Sequence, residues 1–112
     1  MKYALAGILE ALKTQWNMKI HVLAATVVVG AAFFFEISLI EWIIIVICIG
    51  MVFISEIANT AIEYLVDFVS PEIHPVAGKI KDLSAGAVLI AAITSAITGL
   101  LIFGPKLLAI LP

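Results

Sequence analysis

The chain has 112 residues, of which 64% are hydrophobic and 12% charged, and its formal net charge is -2. An ordinary soluble domain carries about 25% charged residues, so this composition predicts one membrane-embedded domain over residues 1–112. The absence of a basic excess argues against nucleic-acid binding, and the single cysteine, Cys48, excludes a disulfide within the chain.

Residues 1–18 are expected to form an amphipathic helix on the membrane surface. Apolar residues recur there at spacings of three and four, and Lys2, Glu10 and Lys13 lie between them. The apolar positions are Ala4, Leu5, Ile8, Leu9, Leu12 and Trp16. This pattern gives the helix one apolar face and one polar face, which suits a helix that lies along the membrane and does not cross it.

Three apolar segments follow, and each is interpreted as a membrane-spanning helix. The predicted spans are residues 19–35, 42–69 and 76–104. Glu36–Glu41 is predicted to be a short acidic turn, Ser70–Pro75 a loop, and Gly104–Pro105 the end of the last helix. The predicted fold class is therefore an all-α membrane protein, with one surface helix and three transmembrane helices.

The positions of the lysines predict the orientation of these spans. Three Lys lie before or at the start of the first span and two lie between the second and the third, whereas the first connection has none and Lys106 follows the third span. Lysine-rich connections tend to stay in the cytoplasm. The N-terminus and the Ser70–Pro75 loop are therefore both expected on the cytoplasmic side.

Four residues, Glu56, Asn59, Glu63 and Asp67, are spaced by three, four and four in an otherwise apolar helix, and we call them the polar stripe. This spacing puts them on one helix face. Carboxylates in or beside a bilayer are costly, and those that occur there usually serve a function. The polar stripe is therefore the first candidate for a functional site.

A second polar cluster follows the predicted loop, and a helical hairpin would bring it near the polar stripe. Its members are His74, Lys79, Lys81 and Asp82. Carboxylates suit Mg²⁺, a lysine suits phosphate, and a deeper carboxylate such as Glu56 could deprotonate a hydroxyl. These are the parts that phosphoryl transfer requires. A P-loop kinase is excluded because the chain lacks the glycine-rich phosphate loop of that class.

Two stretches carry a more specific pattern. The first is Glu56-Ile-Ala-Asn59-Thr-Ala-Ile-Glu63, followed by Asp67, His74, Lys81-Asp82 and Ala85-Gly86-Ala87-Val88; the second is Tyr3-Ala4, Gly7 and Asn17-Met18-Lys19-Ile20-His21. Together they resemble, over nearly the whole chain, the prokaryotic diacylglycerol kinase family, which includes the undecaprenol kinases. The resemblance implies a multi-pass homotrimer in the bacterial plasma (inner) membrane. Such a protein uses Mg²⁺ and ATP to phosphorylate a lipid alcohol at sites formed between subunits.

The resemblance also implies a role for each matching residue. Glu56 would be the general base on the lipid hydroxyl, Asn59 would help to position the reacting groups, and Glu63 would bind the metal. The implied nucleotide-binding residues are Tyr3, Gln15, Glu63, Asp67, Glu72, His74, Gly78, Lys81 and Asp82.

Gln15 departs from the family pattern, which has a glutamate at this position as the second metal ligand. An amide oxygen can still coordinate Mg²⁺ or a water bound to it, but it attracts the cation less than a carboxylate does. Three explanations stay open: an engineered inactivation, a natural variant of reduced activity, or the use of another carboxylate such as Glu10.

Undecaprenol is the favoured substrate, and diacylglycerol is the other lipid alcohol considered. The segments Asn17–His21, Ile40–Trp42 and Gly99–Lys106 look more like those of the undecaprenol kinases. One alternative is a small proton-coupled transporter that uses Glu56, although such a site is usually near the midplane, between broken helices. Another alternative is a catalytically impaired or regulatory kinase homologue.

Overall fold

The computed structural model describes all residues, 1–112, and contains helices and no strands. The helices are α1 (Lys2–Thr14), α2 (Trp16–Phe34), α3 (Leu39–Val69) and α4 (Pro75–Ile110). By length and composition, α2, α3 and α4 could each cross a membrane. At about 1.5 Å per residue α3 is roughly 46 Å long, so it exceeds a hydrocarbon core of about 30 Å. The all-α fold class is confirmed.

A single residue, Gln15, separates α1 from α2. Its backbone is extended, with φ -100° and ψ 115°, and its N–H donates to the carbonyl of Ala11 at 3.0 Å. The predicted boundary after residue 18 is therefore wrong, because α2 already begins at Trp16. No glycine or proline marks the break, and the helical periodicity continues through it, so the sequence pattern gave no sign of the true position.

The connection from α2 to α3 is a tight turn that stops α2 through backbone hydrogen bonds. The N–H of Glu36 donates to the carbonyl of Phe33, and the N–H of Ile37 donates to that of Ala32, both at 3.2 Å. This pair of bonds is a Schellman motif, and it places Glu36 in the left-handed region, with φ 51°. Ala32 and Ile37 are both buried in one apolar cluster, so the turn is also fixed by packing.

Helix α3 begins at Leu39, three residues before the predicted start of the span. Ser38 and Glu41 form a capping box: the Ser38 hydroxyl accepts from the Glu41 N–H at 3.2 Å, and the Glu41 carboxylate accepts from the Ser38 N–H at 3.0 Å. The predicted acidic turn of residues 36–41 is therefore too long, because Glu41 lies in the first turn of the helix.

Helix α4 continues through Pro105 to Ile110, so the predicted end at Gly104 is wrong. Proline removes one backbone donor, but long apolar helices tolerate it where neighbouring groups compensate. Here Lys106 Nζ donates to Glu41 Oε2 at 2.9 Å, which holds this part of α4 against the start of α3. At its other end α4 begins at Pro75, one residue before the predicted start, with His74 as the capping residue.

Helices α3 and α4 pack antiparallel, and side-chain contacts join them along their length. These contacts are Lys81 with Asp67, Ser95 with the carbonyl of Cys48, and Lys106 with Glu41. Only 13 of the 112 residues are buried within the chain, and most large apolar side chains face outward. This distribution is expected of helices that are surrounded by lipid or by other transmembrane helices.

Candidate functional site

The polar stripe on α3 runs from a buried end to an exposed end. Glu56 is 1% exposed and Asn59 is 7% exposed, whereas Glu63 is half-buried and Asp67 is exposed. Asn59 Nδ2 donates to Glu63 Oε1 at 3.3 Å. The stripe therefore combines a carboxylate shielded from water with a second carboxylate two turns further along, near the end of the helix.

Glu56 is approached from α2 by His21, a residue that the sequence did not place in the site. His21 Nε2 lies 3.4 Å from Glu56 Oε2, which is within ion-pair distance. The geometry is not that of a hydrogen bond, and Oε2 is buried without a hydrogen-bond partner. Spacing along one helix cannot reveal a contact between two helices. The only signal for His21 was its place in the Asn17–His21 motif.

Gln15 lies at the junction of α1 and α2, and its neighbour Thr14 contacts α3 at Tyr64. The Tyr64 hydroxyl is 3.5 Å from Thr14 Oγ1, and Gln15 Nε2 donates to the same Thr14 oxygen at 3.4 Å. Because Tyr64 directly follows Glu63, this contact brings the junction next to the turn of α3 that carries the predicted metal ligand.

The side chains in this region carry oxygen atoms of the kinds that Mg²⁺ prefers. Glu63 supplies a carboxylate, Gln15 an amide oxygen, and Asn59 a buried Oδ1 that accepts no hydrogen bond. Magnesium is usually held by one or two carboxylates together with the phosphates of a nucleotide. The chain contains no cluster of three or more His, Cys, Asp or Glu side chains that could hold a metal ion. Glu63 and Gln15 would therefore hold the ion jointly with phosphate oxygens.

Lys81 and Asp67 form an ion pair between α4 and α3, as the hairpin predicted. Their side chains are 40% and 61% exposed, so water screens the attraction between them. An exposed lysine that is oriented by a carboxylate is still available to a phosphate group. The pair lies one turn beyond Glu63 along α3.

The other predicted nucleotide-binding residues are not gathered into one pocket by a single chain. They are exposed, and none forms a hydrogen bond or an ion pair with the polar stripe: Tyr3, Glu72, His74, Gly78 and Asp82. His74 Nδ1 accepts from the N–H of Val76 at 3.1 Å and thereby caps α4. Asp82 and Lys79 line an open surface formed by α4 alone.

An apolar cleft of about 260 Å³ lies between α2, α3 and α4. The space remains open because small side chains such as Ala25, Ala92 and Ala96 line it. The imidazole of His21 also lines the cleft. Glu56 does not line the cleft. His21 therefore has one side toward the cleft and one side toward the buried carboxylate.

Comparison with known proteins identifies the family. The sequence profile described as "Prokaryotic diacylglycerol kinase" matches residues 2–103. The chain is 48% identical over 101 residues to the undecaprenol kinase of Bacillus subtilis, covering 90% of this chain and 82% of that protein. It is 37% identical over 111 residues to a diacylglycerol kinase of Synechocystis, covering 98% of this chain and 63% of the relative. With the diacylglycerol kinase of Escherichia coli K12 it shares 36% identity over 75 residues, 67% of this chain and 62% of the relative. The chain therefore belongs to the prokaryotic diacylglycerol kinase family, a family of membrane lipid kinases.

Proposed function

We propose that this protein transfers the γ-phosphate of Mg-ATP to the hydroxyl of a membrane lipid alcohol, with undecaprenol preferred over diacylglycerol. The observation that carries the proposal is Glu56, a carboxylate that is 1% exposed on an apolar helix and lies one turn before the Asn59–Glu63 hydrogen bond. An ionisable group buried at membrane depth indicates a functional site. The preference for undecaprenol is supported by 48% identity to an undecaprenol kinase, against 37% and 36% to two diacylglycerol kinases.

In the proposed reaction, Glu56 accepts the proton of the lipid hydroxyl. The hydroxyl oxygen then forms a bond to the γ-phosphorus, the bond from that phosphorus to the bridging oxygen breaks, and ADP leaves. Asn59 positions the reacting groups, and Lys81 contacts phosphate while Asp67 orients its ammonium group. Glu63 and Gln15 would hold Mg²⁺, which neutralises phosphate charge when it is bound.

The nucleotide pocket is proposed to form between chains of a homotrimer. Five residues assigned to the nucleotide are exposed in one chain and form no hydrogen bond or ion pair with the polar stripe: Tyr3, Glu72, His74, Gly78 and Asp82. A neighbouring copy that packs against these surfaces would enclose the nucleotide, which three spanning helices from one chain do not do.

The site is proposed to lie on the cytoplasmic face of the bacterial plasma membrane. The α1–α2 junction and the start of α4 lie at the same end of α3, since Thr14 approaches Tyr64 and Lys81 meets Asp67. Four lysines flank these two segments, whereas Lys106 lies at the opposite end. This asymmetry agrees with the tendency of lysine-rich segments to remain in the cytoplasm.

A direct test measures phosphate transfer from radiolabelled ATP with Mg²⁺ to undecaprenol and to diacylglycerol. The assay uses the purified chain in mixed micelles, with the Gln15→Glu and Glu56→Gln variants alongside. We expect faster transfer to undecaprenol, an increase with Gln15→Glu, and loss of transfer with Glu56→Gln while nucleotide binding is retained.

The possible results separate the alternatives. Transfer by Gln15→Glu alone would mean that the protein is an impaired kinase. Nucleotide binding without transfer by either form would indicate a non-catalytic homologue, and faster transfer to diacylglycerol would overturn the choice of lipid.

A further inference from the structure

We propose that His21 is a positioning residue for Glu56, and that it holds one carboxylate oxygen so that the other can receive the proton of the lipid hydroxyl. The role of this contact in catalysis rests on the proposed function. The contact itself, between His21 Nε2 and Glu56 Oε2 at 3.4 Å, stands independently of that function.

The first argument is the state of the Glu56 carboxylate. Its Oε2 is buried and has no hydrogen-bond partner. A buried, unpaired carboxylate is costly, so an isolated group of this kind in a native protein requires an explanation. The nearby Thr60 hydroxyl does not help, because it donates to the backbone carbonyl of Glu56.

The second argument is that His21 is the suitable partner on the helices packed around Glu56. Helix α2 has no other titratable side chain after Lys19, and α4 has none between Asp82 and Lys106. On α3 itself, the next carboxylate toward the C-terminus is Glu63, which accepts from Asn59. The imidazole is thus the group that can supply an N–H to Oε2 with a small adjustment of its ring.

The third argument is the position of His21 between the carboxylate and the apolar cleft. Its side chain is 20% exposed and lines the cleft, whereas the side chain of Glu56 is 2% exposed and does not line it. An imidazole that carries its proton on Nε2 would donate to Oε2. This arrangement would fix the carboxylate with Oε1 free, and an oriented base is what proton removal from a hydroxyl requires.

Two substitutions test this role by activity. His21→Leu removes the N–H, whereas His21→Gln keeps a side-chain N–H of similar reach. We expect His21→Leu to lower kcat by about 10- to 100-fold, by analogy with the loss of a group that orients a metal ligand, with the KM for ATP unchanged. We expect His21→Gln to recover most of kcat. Thr26→Val, on the same helix and outside the site, should behave as the wild type.

A second measurement does not depend on kinase activity. The chain has two histidines, so ¹⁵N NMR of histidine-labelled protein gives two imidazole systems, and His74→Gln assigns them. We expect Glu56→Gln to shift the Nε2 signal of His21, and Glu63→Gln to leave it in place.

The results distinguish this inference from the proposed function. An unchanged Nε2 signal in Glu56→Gln, or equal kcat in the Leu and Gln variants of His21, overturns the positioning role. If the Nε2 signal responds but the wild-type chain and Gln15→Glu transfer no phosphate to either lipid, the contact stands and the kinase proposal fails.

Discussion

The Gln15→Glu substitution is the most informative change in this chain, because it adds one carboxylate at the junction of α1 and α2 and removes only the weak 3.4 Å hydrogen bond that the amide donates to Thr14. Gln15 is half-buried, and its amide contacts Thr14, which in turn approaches Tyr64 beside Glu63. The two side chains have nearly the same shape. The change therefore tests charge at the proposed Mg²⁺ site with minimal effect on packing.

The expected magnitude follows from Coulomb attraction. Two unit charges about 4 Å apart attract by about 1 kcal/mol in water, and a divalent cation doubles this value to about 2 kcal/mol. A water-like dielectric is appropriate because Gln15 is partly exposed. At about 1.36 kcal/mol per factor of ten, the gain corresponds to roughly 30-fold tighter Mg²⁺ binding in the presence of nucleotide.

The measurement is the Mg²⁺ dependence of phosphate transfer at saturating ATP, with Asn17→Asp as the matched control. That control makes the same amide-to-carboxylate change two residues further on, in the first turn of α2. We expect a lower half-saturating Mg²⁺ concentration in Gln15→Glu and a smaller change in the control. Equal shifts in both variants would show that only general surface charge matters, and no shift in either would refute the placement of Gln15 at the metal.

The remaining predictions concern one residue each. Ser38→Ala breaks the capping box and should lower the stability of the folded chain by about 1 kcal/mol, measured by thermal unfolding in detergent; an unchanged midpoint would contradict the role of the cap. Glu36→Val should be destabilising by about 1 kcal/mol in the same assay, because a β-branched residue is strained more than Glu at φ 51°, whereas Glu36→Gly should relieve the strain that Glu already bears; equal loss in both variants would show that the backbone angle is not the cause. Lys81→Gln should raise the KM for ATP while stability changes by less than about 1 kcal/mol, since its ion pair with Asp67 is exposed; a large loss of stability with unchanged KM would reverse this assignment.

Hydropathy predicted the helix-rich fold well, but it did not predict where the helices begin and end. Long apolar runs are strong signals because each extends over many residues. The ends depend instead on a few local bonds, such as the Ser38 capping box and the turn at Glu36. Pro105 is the opposite case, since a residue that usually stops a helix lies inside α4.

Some features of the candidate site could likewise be predicted from the sequence, and others could not. The alignment of Glu56, Asn59 and Glu63 follows from helical spacing, and the meeting of Asp67 with Lys81 follows from a hairpin. Contacts between helices that are not joined by a short loop do not follow from spacing. The contact of Thr14 with Tyr64 joins residues 50 positions apart.

The small buried fraction of this chain has a consequence for any measurement of its stability. With 13 of 112 residues buried, a separate chain has little internal apolar packing to lose when it unfolds. If copies associate, as proposed, association stabilises the folded state by mass action. Dilution of the protein into excess detergent should then lower the unfolding temperature without any change in sequence. Variants should therefore be compared at one fixed ratio of protein to detergent, because this ratio sets how many neighbouring chains are available.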